Sequence, residues 1–439
     1  MREIRYENWV AELRWEDLPP EVRRQALVCL ADVLATAAGA QRLPTSAQTA
    51  ALVREQFGDG LVPLWFQRHG SSSAGAAYCN CQCVDSLDCH DGFRPNKGHC
   101  GATVVPVAIG AAAQAGGDLP GRELLTAVAI GYEIASRAGL AVHALYAPHY
   151  HASGSWASLG AAAAGARLLG LPIEQIDAAL GMAEYYAPMS PMLRCTGHPS
   201  VVKDAAGPGG WAAAMALVMA RRGMVGLPSL LRAEPLGREQ VATLGDEWLI
   251  LRQYFKPCPT CRWAQPAVEG LKLLQAAHDF TAHDVARIDV ATFACAADLT
   301  HFPPEHTDAA QYSLPWAVAA QLVDGALGVE QIHPDRLGDG AIIAAGQLVY
   351  TQLAPDLEAR FPAEALARTT VTLRDGCSFT SPTMGARGDW TEPLPPDELT
   401  EKARTLMTAG LGEQRAAHLL DVVATLEERP ARDLIDALR

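Results

Sequence analysis

Up to residue 255, the chain consists largely of Ala- and Gly-rich segments whose apolar residues recur at helical spacing. In residues 20–40, Pro20 stands near a helix start and Gly39 near its end. The same spacing recurs in residues 101–116, 121–141, 154–170, 175–188 and 209–223. Small side chains let helices approach closely, and no strand-like alternation is convincing before residue 280. The pattern therefore predicts a large all-helical domain whose first part covers residues 1–255.

The pattern changes after Phe255. A Pro-rich run, KPCPTCRWAQP, leads into a helical segment near 263–277. Residues 286–296 and 367–381 alternate β-branched side chains and are typical of strands, while residues 309–324 again have helical spacing. We predict a smaller α+β lid domain over 256–388, and C-terminal helices over 389–439 that rejoin the helical domain. The predicted fold class is mainly α with a smaller α+β domain.

Composition and charge narrow the class of protein. Of 439 residues, 49% are hydrophobic and 19% are charged, which is typical of a globular enzyme. A net charge of -14 argues against nucleic acid or an anionic membrane surface as a partner, because phosphate binding needs a basic face. No uninterrupted apolar run reaches the ~18 residues of a membrane span. Residues 1–18 lack the apolar region of a signal peptide, and eleven cysteines are too sparse for a disulfide scaffold, so we expect a cytoplasmic protein.

Cations gather in four segments that hold no Asp or Glu, namely 92–106, 134–173, 185–203 and 248–263. An acidic protein that binds an acidic substrate must build a local positive pocket, and these segments are candidates for its walls. Arg grips a carboxylate through two parallel hydrogen bonds, whereas Lys supplies a mobile charge. Taken singly, each segment is also typical of a loop with cations at helix ends.

The segment Asp88-Cys-His90-Asp91, followed by Lys97-Gly-His99, gathers carboxylates and imidazoles in one short stretch. Asp88 and Asp91 would share a face if the chain were helical there. A carboxylate beside His99 would orient the ring and raise its pKa, as in a general acid or base. Asp91, His90 and His99 are therefore candidate catalytic residues, and Asp88 and Lys97 are candidate substrate-binding residues. The alternative is a helix end closed by glycine, with surface charges.

His151 stands just before a predicted helix start, where backbone N–H groups favour an anion and lower a histidine pKa. It is a candidate catalytic base, although a polar loop with Ser153 or Ser155 as N-cap would have the same sequence. Lys203 precedes another Ala- and Gly-rich helix and is a candidate for binding a substrate carboxylate, or else a lysine that faces water. Lys256 and Arg262 complete the predicted substrate-binding set.

The cysteines match no familiar metal pattern. The spacing of Cys79, Cys81 and Cys83 fits neither zinc nor iron–sulfur motifs, and Cys258-Pro-Thr-Cys261 has no second pair. We therefore expect buried free thiols, no metal and no cofactor. The sequence has no Gly-x-Gly-x-x-Gly after a strand, no Walker motif and no Gly-x-Ser-x-Gly elbow, so nicotinamide, nucleotide-hydrolysis and serine-hydrolase chemistry lose support.

Several of these segments, in their order along the chain, resemble the MmgE/PrpD family. Counterparts occur for LADVLATAAGA, for Asn80 followed by VDSLDCHDGF, and for GHCGATVVPVAIGAA, HASGSWASLGAAAAGARLLG, YFKPCPTCRWAQPAVE, AQYSLPWAVAAQLVDG and GDWTEPLPPDELTEKAR. That family includes 2-methylcitrate dehydratases, cis-aconitate decarboxylases and an iminodisuccinate epimerase. The resemblance implies a homodimer without an organic cofactor and a cleft between two domains. The positions that match the family's active-site residues are Asp88, Asp91, His99, His151, Lys203 and Lys256.

Four positions depart from the usual pattern of that family. His90 stands where an aspartate is common, and Lys97 adds a cation beside His99. Gln265 stands where a histidine often follows the Lys-Pro-x-Pro-x-Cys-Arg segment, and Trp316 replaces a common tyrosine. If that tyrosine donates a proton in relatives, this chain must use another group.

These observations favour a lyase of the dehydratase type that acts on a small di- or tricarboxylate. His151 or His99 would remove a proton α to a carboxylate, while lysine and arginine hold the substrate and spread the developing charge. Asp91, His90 or the other histidine would protonate the departing hydroxyl. The same pocket could run an epimerisation or a decarboxylation. The competing classes are a non-catalytic carboxylate-binding protein and an iron–sulfur hydratase.

Overall fold

The computed structural model describes residues 5–439, so the first four residues of the charged N-terminal segment lie outside the described part of the chain. The chain divides into two compact units. The first, the helical unit, comprises the chain up to Arg194 together with Val202–Tyr254 and Pro395–Arg439. The second, the mixed unit, comprises Cys195–Val201 and Phe255–Leu394. The predicted fold class, mainly α with a smaller α+β part, is confirmed.

Helices make up most of the helical unit. The chain up to Tyr254 forms α1 Tyr6–Glu12, α2 Pro20–Gly39, α3 Pro44–Phe57, α4 Ser73–Leu87, α5 Gly101–Gln114, α6 Gly121–Leu145, α7 Gly154–Leu168, α8 Ile173–Tyr186, α9 Met192–Gly197, α10 Ala206–Arg221, α11 Leu230–Ala233 and α12 Pro235–Val241. All six helices expected from the spacing are formed, with ends within a few residues of the prediction. Helices α2, α3 and α12 begin with proline, which is tolerated there because a backbone N–H in the first turn has no acceptor within the helix.

Two short strand pairs also occur in this unit, and the expectation of no strand before residue 280 was wrong for them. Strand β1 Asp59–Pro63 pairs antiparallel with β2 Gly70–Ser71, and β3 Gly92–Phe93 pairs antiparallel with β4 Gln253–Tyr254. Strands this short carry too little alternation for a sequence pattern to reveal. The β3–β4 pair fixes the chain immediately after the candidate acid Asp91.

Helix α6 is a core helix of the helical unit and packs against α2, α5, α7 and α12. Within residues 5–439 it is the one helix long and apolar enough to cross a bilayer, unless α2 and α3, which meet at a 94° bend, are taken together. Its apolar window is 94% buried inside the protein, which accounts for its composition. Where α6 meets α7, a side-chain carbon at Gly160 would collide with the carbonyl of Gly131, so the two backbones touch.

The mixed unit is built around one sheet. Its helices are α13 Gln265–Ala277, α14 Ala294–Ala297, α15 Thr307–Gln311, α16 Leu314–Asp324, α17 Val329–Ile332, α18 Gly340–Gly346 and α19 Pro355–Glu358. Its strands are β5 Val285–Thr292, β6 Val349–Leu353, β7 Leu366–Leu373, β8 Ser378–Thr380 and β9 Met384–Gly385. The strand order is β6-β5-β7-β8, with β9 also paired to β7. Strands β5 and β6 are parallel and the other pairs are antiparallel. The helical segment expected over 309–324 is split, because the Ser313 side chain caps the start of α16.

Three helices follow at the C-terminus, and they belong to the helical unit. They are α20 Pro396–Leu411, α21 Glu413–Ala424 and α22 Ala431–Ala437. Helix α20 lies along α2, where Leu406 contacts Gly39 and the backbone of Gly410 meets the carbonyl of Ala38. The second helix of the chain is therefore covered by one of its last helices.

Candidate active site

The candidate residues begin where helix α4 ends. Asp88 caps that helix with a left-handed backbone (φ 50°), so the chain leaves the helix before Asp91. The expectation that Asp88 and Asp91 share a helical face was therefore wrong. Lys97 (φ 52°) and Lys203 (φ 37°) have the same unfavourable backbone conformation. Non-glycine residues occupy this region at a cost, and such strain concentrates at functional sites.

His99 lies at the centre of a cluster of polar side chains in the helical unit. Its Nδ1 is 2.5 Å from the backbone carbonyl of Asp91, which assigns the ring proton to Nδ1 as the donor. Its Nε2, which can then accept a proton, faces the carboxylates of Asp88 and Asp204 at 4.0 Å each. The ring of His90 packs edge-on against that of His99, with 4.4 Å between centroids.

A buried carboxyl that the sequence reasoning missed, Asp85, adjoins this cluster. Burial, followed by the nearby Asp204 carboxylate, raises the pKa of Asp85 to about 8, although Lys203 and the backbone N–H of Ala206 act in the opposite direction. The Ala206 N–H donates to Asp85 Oδ2 at 3.3 Å. Asp85 Oδ1 lies 3.9 Å from Nε2 of His90. At neutral pH Asp85 therefore keeps its proton and can act as a donor.

The Asp91 carboxyl is fully buried at the start of helix α5. Burial, followed by the charge of Asp32, raises the pKa of Asp91 to about 8, while Tyr132, the N–H of Gly101 and Lys402 lower it. A side chain at position 101 would collide with this carboxyl and with the Tyr132 hydroxyl, so the glycine makes room for both. Asp91 is thus a second carboxyl that holds a proton at neutral pH.

His151 lies in a neighbouring group of rings. Its imidazole stacks on that of His143 with 6.3 Å between centroids, and the ring of Tyr146 stands edge-on at 5.7 Å. Among the described residues, neither ring nitrogen of His151 has a partner in hydrogen-bond geometry. Burial lowers the pKa of His151, partly offset by the backbone of Met189, and burial lowers the pKa of His143 to about 4. Both rings are therefore neutral at pH 7.

Ser153 joins the two groups. Its Oγ accepts a hydrogen bond from the backbone N–H of His99 at 2.9 Å and donates to Asp204 Oδ1 at 2.7 Å. Helix α7 begins at Gly154, so His151 stands three residues before a helix start. Ser153 does not cap that helix with its side chain, because its hydroxyl is engaged with Asp204. The alternative interpretation, in which the side chain of Ser153 or Ser155 caps the helix, is therefore wrong for Ser153, and Ser155 lies inside helix α7.

Two lysines supply positive charge. Lys97 Nζ lies 4.9 Å from the ring centroid of Tyr150 and donates to the Pro95 carbonyl at 3.3 Å. Burial, followed by the charge of Arg94, lowers the pKa of Lys97 to about 8. Lys203 is buried just before helix α10. Each ammonium is thus held in a partly dry setting, where its attraction for an anion is less screened than in water.

Two domains of one protein family match almost the whole chain. The MmgE/PrpD N-terminal domain matches residues 5–250, and the MmgE/PrpD C-terminal domain matches residues 258–428. The chain belongs to the MmgE/PrpD family. It is therefore an enzyme of the MmgE/PrpD type, as the sequence motifs indicated.

Curated relatives of this MmgE/PrpD enzyme carry related names. A cis-aconitate decarboxylase-like protein, oryM, of Aspergillus oryzae is 25% identical over 459 aligned residues, covering 96% of this chain and 93% of the relative. The cis-aconitate decarboxylase of Homo sapiens is 26% identical over 376 residues, covering 80% and 76%. The cis-aconitate decarboxylase of Aspergillus terreus is 22% identical over 455 residues, covering 96% and 92%.

The remaining candidate residues of this MmgE/PrpD enzyme lie in the mixed unit. Lys256 is 1% exposed, and the guanidinium of Arg262 donates to Asp389 Oδ2 at 2.6 Å. Gln265 and Trp316, which depart from the family pattern, are fully buried. Their side-chain N–H groups donate to backbone carbonyls of the same unit at 3.4 Å and 3.0 Å. In this arrangement the Trp316 N–H stabilises the fold of the mixed unit.

The acid-free segments carry His99 and Lys203, but carboxyl groups outside these segments also surround the two side chains. Three carboxyl groups, those of Asp85, Asp88 and Asp204, lie near these two side chains. Asp204 was missed because it lies just outside a segment defined by its lack of acids, and Asp85 was missed because the candidate segment was taken to begin at Asp88. The available signal was Asp85 itself, the one charged side chain in helix α4.

The cysteine run lies inside helix α4. Cys79, Cys81 and Cys83 are buried there, and burial raises the pKa of each thiol. Within residues 5–439, no group of three or more His, Cys, Asp or Glu side chains is arranged to hold a metal ion.

Proposed function

We propose that the protein is a lyase that transfers protons at a carbon next to a carboxylate of a small di- or tricarboxylate, using its own side chains and no organic cofactor. One observation carries the proposal. The Nε2 of His99, which can accept a proton, lies near the Asp85 carboxyl, and its Nδ1 binds the backbone carbonyl of Asp91; the carboxyls of Asp85 and Asp91 both keep their protons near neutral pH. Elimination needs a proton acceptor and a proton donor together, and this cluster offers both.

In the proposed dehydration, His99 or His151 removes the proton α to a substrate carboxylate. Lys203 stabilises the negative charge that develops on that carboxylate. Asp91 or His90 then gives a proton to the departing hydroxyl. One C–H and one C–O bond break, a C=C bond forms, and water leaves. The lowered pKa of His151 supports this role, since a general base must be neutral before it acts.

The substrate-binding roles are assigned from the charge of each side chain. We propose that Lys97 and Lys203 bind carboxylates and that Asp88 accepts a hydrogen bond from a substrate hydroxyl. Lys256 and Arg262 stay sequence-based candidates for carboxylate binding. Because Asp389 already holds Arg262 at 2.6 Å, that arginine would have to share its guanidinium to bind a substrate.

Decarboxylation is a second candidate, and the names of the relatives favour it. The human and Aspergillus terreus relatives are named cis-aconitate decarboxylases. In that reaction a C–C bond breaks, CO₂ leaves, and a carbon takes up one proton. Asp91, His90 or a protonated histidine would deliver the proton, and no base would be required. The cluster around His99 contains such donors in either case.

Nuclear magnetic resonance in D₂O tests the proposal. The protein is incubated with citrate, 2-methylcitrate, cis-aconitate and amino-dicarboxylates, and new signals and CO₂ release are followed. Dehydration gives an alkene signal without CO₂, whereas decarboxylation gives CO₂ and a deuterated product. Exchange of the α-proton without net conversion would point to an epimerase. Saturable binding with no conversion of any compound would make the protein a carboxylate binder and overturn the proposal.

Two histidine variants test the site. We expect His99→Ala and His151→Ala to lower turnover by about 10²–10⁴-fold, the usual loss when a general acid or base is removed. His418→Ala removes an exposed histidine from helix α21 and is the matched control, with turnover unchanged. A fall of less than about threefold in a folded His151→Ala variant would remove that residue from the catalytic role.

A further inference from the structure

One buried lysine connects the C-terminal helix α20 to the segment that carries the candidate acids. Lys402 Nζ donates to Asp32 Oδ1 at 2.5 Å and to the backbone carbonyl of Cys89 at 2.6 Å. The side chains of Lys402 and Asp32 are only 8% and 4% exposed. Desolvation offsets much of the attraction within such a pair, so a buried ion pair is weak evidence of a purely stabilising role.

The pair holds one end of a short segment, and His99 holds the other. Lys402 binds the carbonyl of Cys89, and the Asp91 carbonyl accepts a hydrogen bond from Nδ1 of His99. His90 lies between them, with its ring against that of His99. The Lys402 ammonium therefore holds the start of the segment that carries the His90 ring and Asp91 beside His99.

We propose that Asp32 and Lys402 are positioning residues of the candidate active site, which fix residues 88–91 and set the charge around the Asp91 carboxyl. The proposal rests on the proposed function only in taking Asp91 as a proton donor. Neither residue needs to touch the substrate, because each acts through Cys89 or Asp91.

Electrostatic interactions support this role. Titratable groups from four elements act on the Asp91 carboxyl. They are Cys29 and Asp32 on α2, Cys100 before α5, Tyr132 on α6 and Lys402 on α20. The rings of His90 and His99 contact the backbone carbonyl of Asp91. Asp32 and Lys402 form the ion pair in this set, and they affect Asp91 in opposite directions. Replacing Asp32 by asparagine removes the charge that raises the pKa of Asp91 and keeps the ammonium that lowers it. The pKa of Asp91 must then fall below its present value of about 8.

The test compares Asp32→Asn, Lys402→Met and the double variant. Arg404→Met is the matched control, because Arg404 lies on the same helix in an exposed ion pair with Glu401. For each protein, the melting temperature and kcat are measured as functions of pH. The protonated carboxyl of Asp91 is followed by difference infrared spectroscopy, and its band is assigned by its loss in Asp91→Asn.

Lys402→Met leaves the Asp32 carboxylate buried without its cation. We expect a lower melting temperature and a fall in kcat of about 10–100-fold, by analogy with the loss of groups that support metal ligands. The double variant should regain most of the melting temperature, because both charges are gone. Its kcat should stay low, since the Cys89 carbonyl is still not held. In Asp32→Asn, the infrared titration of Asp91 should move to lower pH.

Two outcomes would overturn the inference. If kcat recovers in the double variant together with the melting temperature, the pair acts on stability alone. If the infrared titration of Asp91 is the same in Asp32→Asn as in the unchanged protein, the electrostatic part fails. The infrared and melting measurements need no substrate, so failure to find any turnover would count against the proposed function without deciding this inference.

Discussion

Asp85 and Asp91 keep their protons near neutral pH because both carboxyls are buried and each lies near another acid. Lys97 is shifted in the opposite direction, since burial and a nearby cation disfavour its charge. Such shifts destabilise the folded state, and proteins retain them chiefly where protons are exchanged. The individual side chains therefore point to proton transfer more directly than the fold does.

The first residue-level prediction concerns Asp91. The folded protein keeps its proton up to about pH 8, whereas an unfolded chain releases it near pH ~4. Folding therefore takes up a proton between these values, and this contribution to stability is lost as the pH rises through them. In the unchanged protein, Asp91 should make the free energy of unfolding fall between about pH 6 and about pH 8. In Asp91→Asn this fall should be smaller by about 1–3 kcal/mol. Urea unfolding at a series of pH values measures this slope.

The control for Asp91 is Asp118→Asn, which removes an exposed carboxylate from the same unit. That change should leave the slope as it is in the unchanged protein. Equal slopes for the Asp91→Asn variant and the unchanged protein would mean that Asp91 is already ionised near neutral pH, and Asp91 would then lose its role as a proton donor.

The second residue-level prediction concerns Lys97. Its pKa is lowered to about 8, so its positive charge is lost as the pH rises through that value. If it binds a carboxylate, KM should rise above pH 8 while kcat changes little. Lys97→Met should raise KM at neutral pH by about 10–100-fold, the loss of one charged hydrogen bond. Lys97→Arg keeps the charge and should abolish the pH dependence of KM. A pH-dependent KM in Lys97→Arg would assign it to another group.

At the level of elements, spacing and capping were enough to find most helices but not the polar contacts between them. Helix α2 was expected from Pro20 and from its apolar repeat, and it forms over Pro20–Gly39. Its one interior acid, Asp32, could have signalled a buried partner, yet that partner, Lys402, is 370 residues away in the sequence. Contacts of such long range follow from the assembled fold and not from local pattern.

The backbone of the site was equally hidden from the sequence. Asp88, Lys97 and Lys203 have positive φ, a conformation that sequence reasoning assigns by default to glycine. The family motifs did bring His99 and Lys203 into consideration, and the structure surrounds both with carboxyls. Which of those carboxyls hold protons depends on burial, and burial is set by elements that a single motif does not contain.

The contact between α6 and α7 gives a prediction at the scale of elements. A methyl group at Gly160 would be forced against the carbonyl of Gly131 and the side chain of Ala135. We expect Gly160→Ala to destabilise the protein by about 1–3 kcal/mol through overpacking. Gly110→Ala on α5 is the matched control, because the added carbon would approach only Val62, at 3.3 Å. Equal unfolding midpoints for the two variants would show that α6 and α7 can move apart at little cost.

At the scale of the whole molecule, the helical unit is closed by the end of the chain. Helix α20 covers α2, and Trp15, near the start of the chain, donates to Glu427 at 3.1 Å. The backbone of Gly121 also donates to the carbonyl of Arg429. The unit that holds the candidate catalytic residues His99, His151 and Asp91 is therefore complete only after the last helices have packed.

Deleting residues 395–439 tests this dependence. The shortened chain loses the cation of Asp32, and an uncompensated buried charge costs about 3–5 kcal/mol. It also exposes the α2 face that Leu406 covers. Together these losses approach the total stability of about 5–15 kcal/mol that single domains have. We expect the helical unit to lose its cooperative urea transition, and amides of α2 to lose their protection from hydrogen exchange. If the shortened chain kept its cooperative urea transition and the protection of α2, the helical unit would be stable without α20. The positioning role of Lys402 would then have to be argued without any contribution from folding.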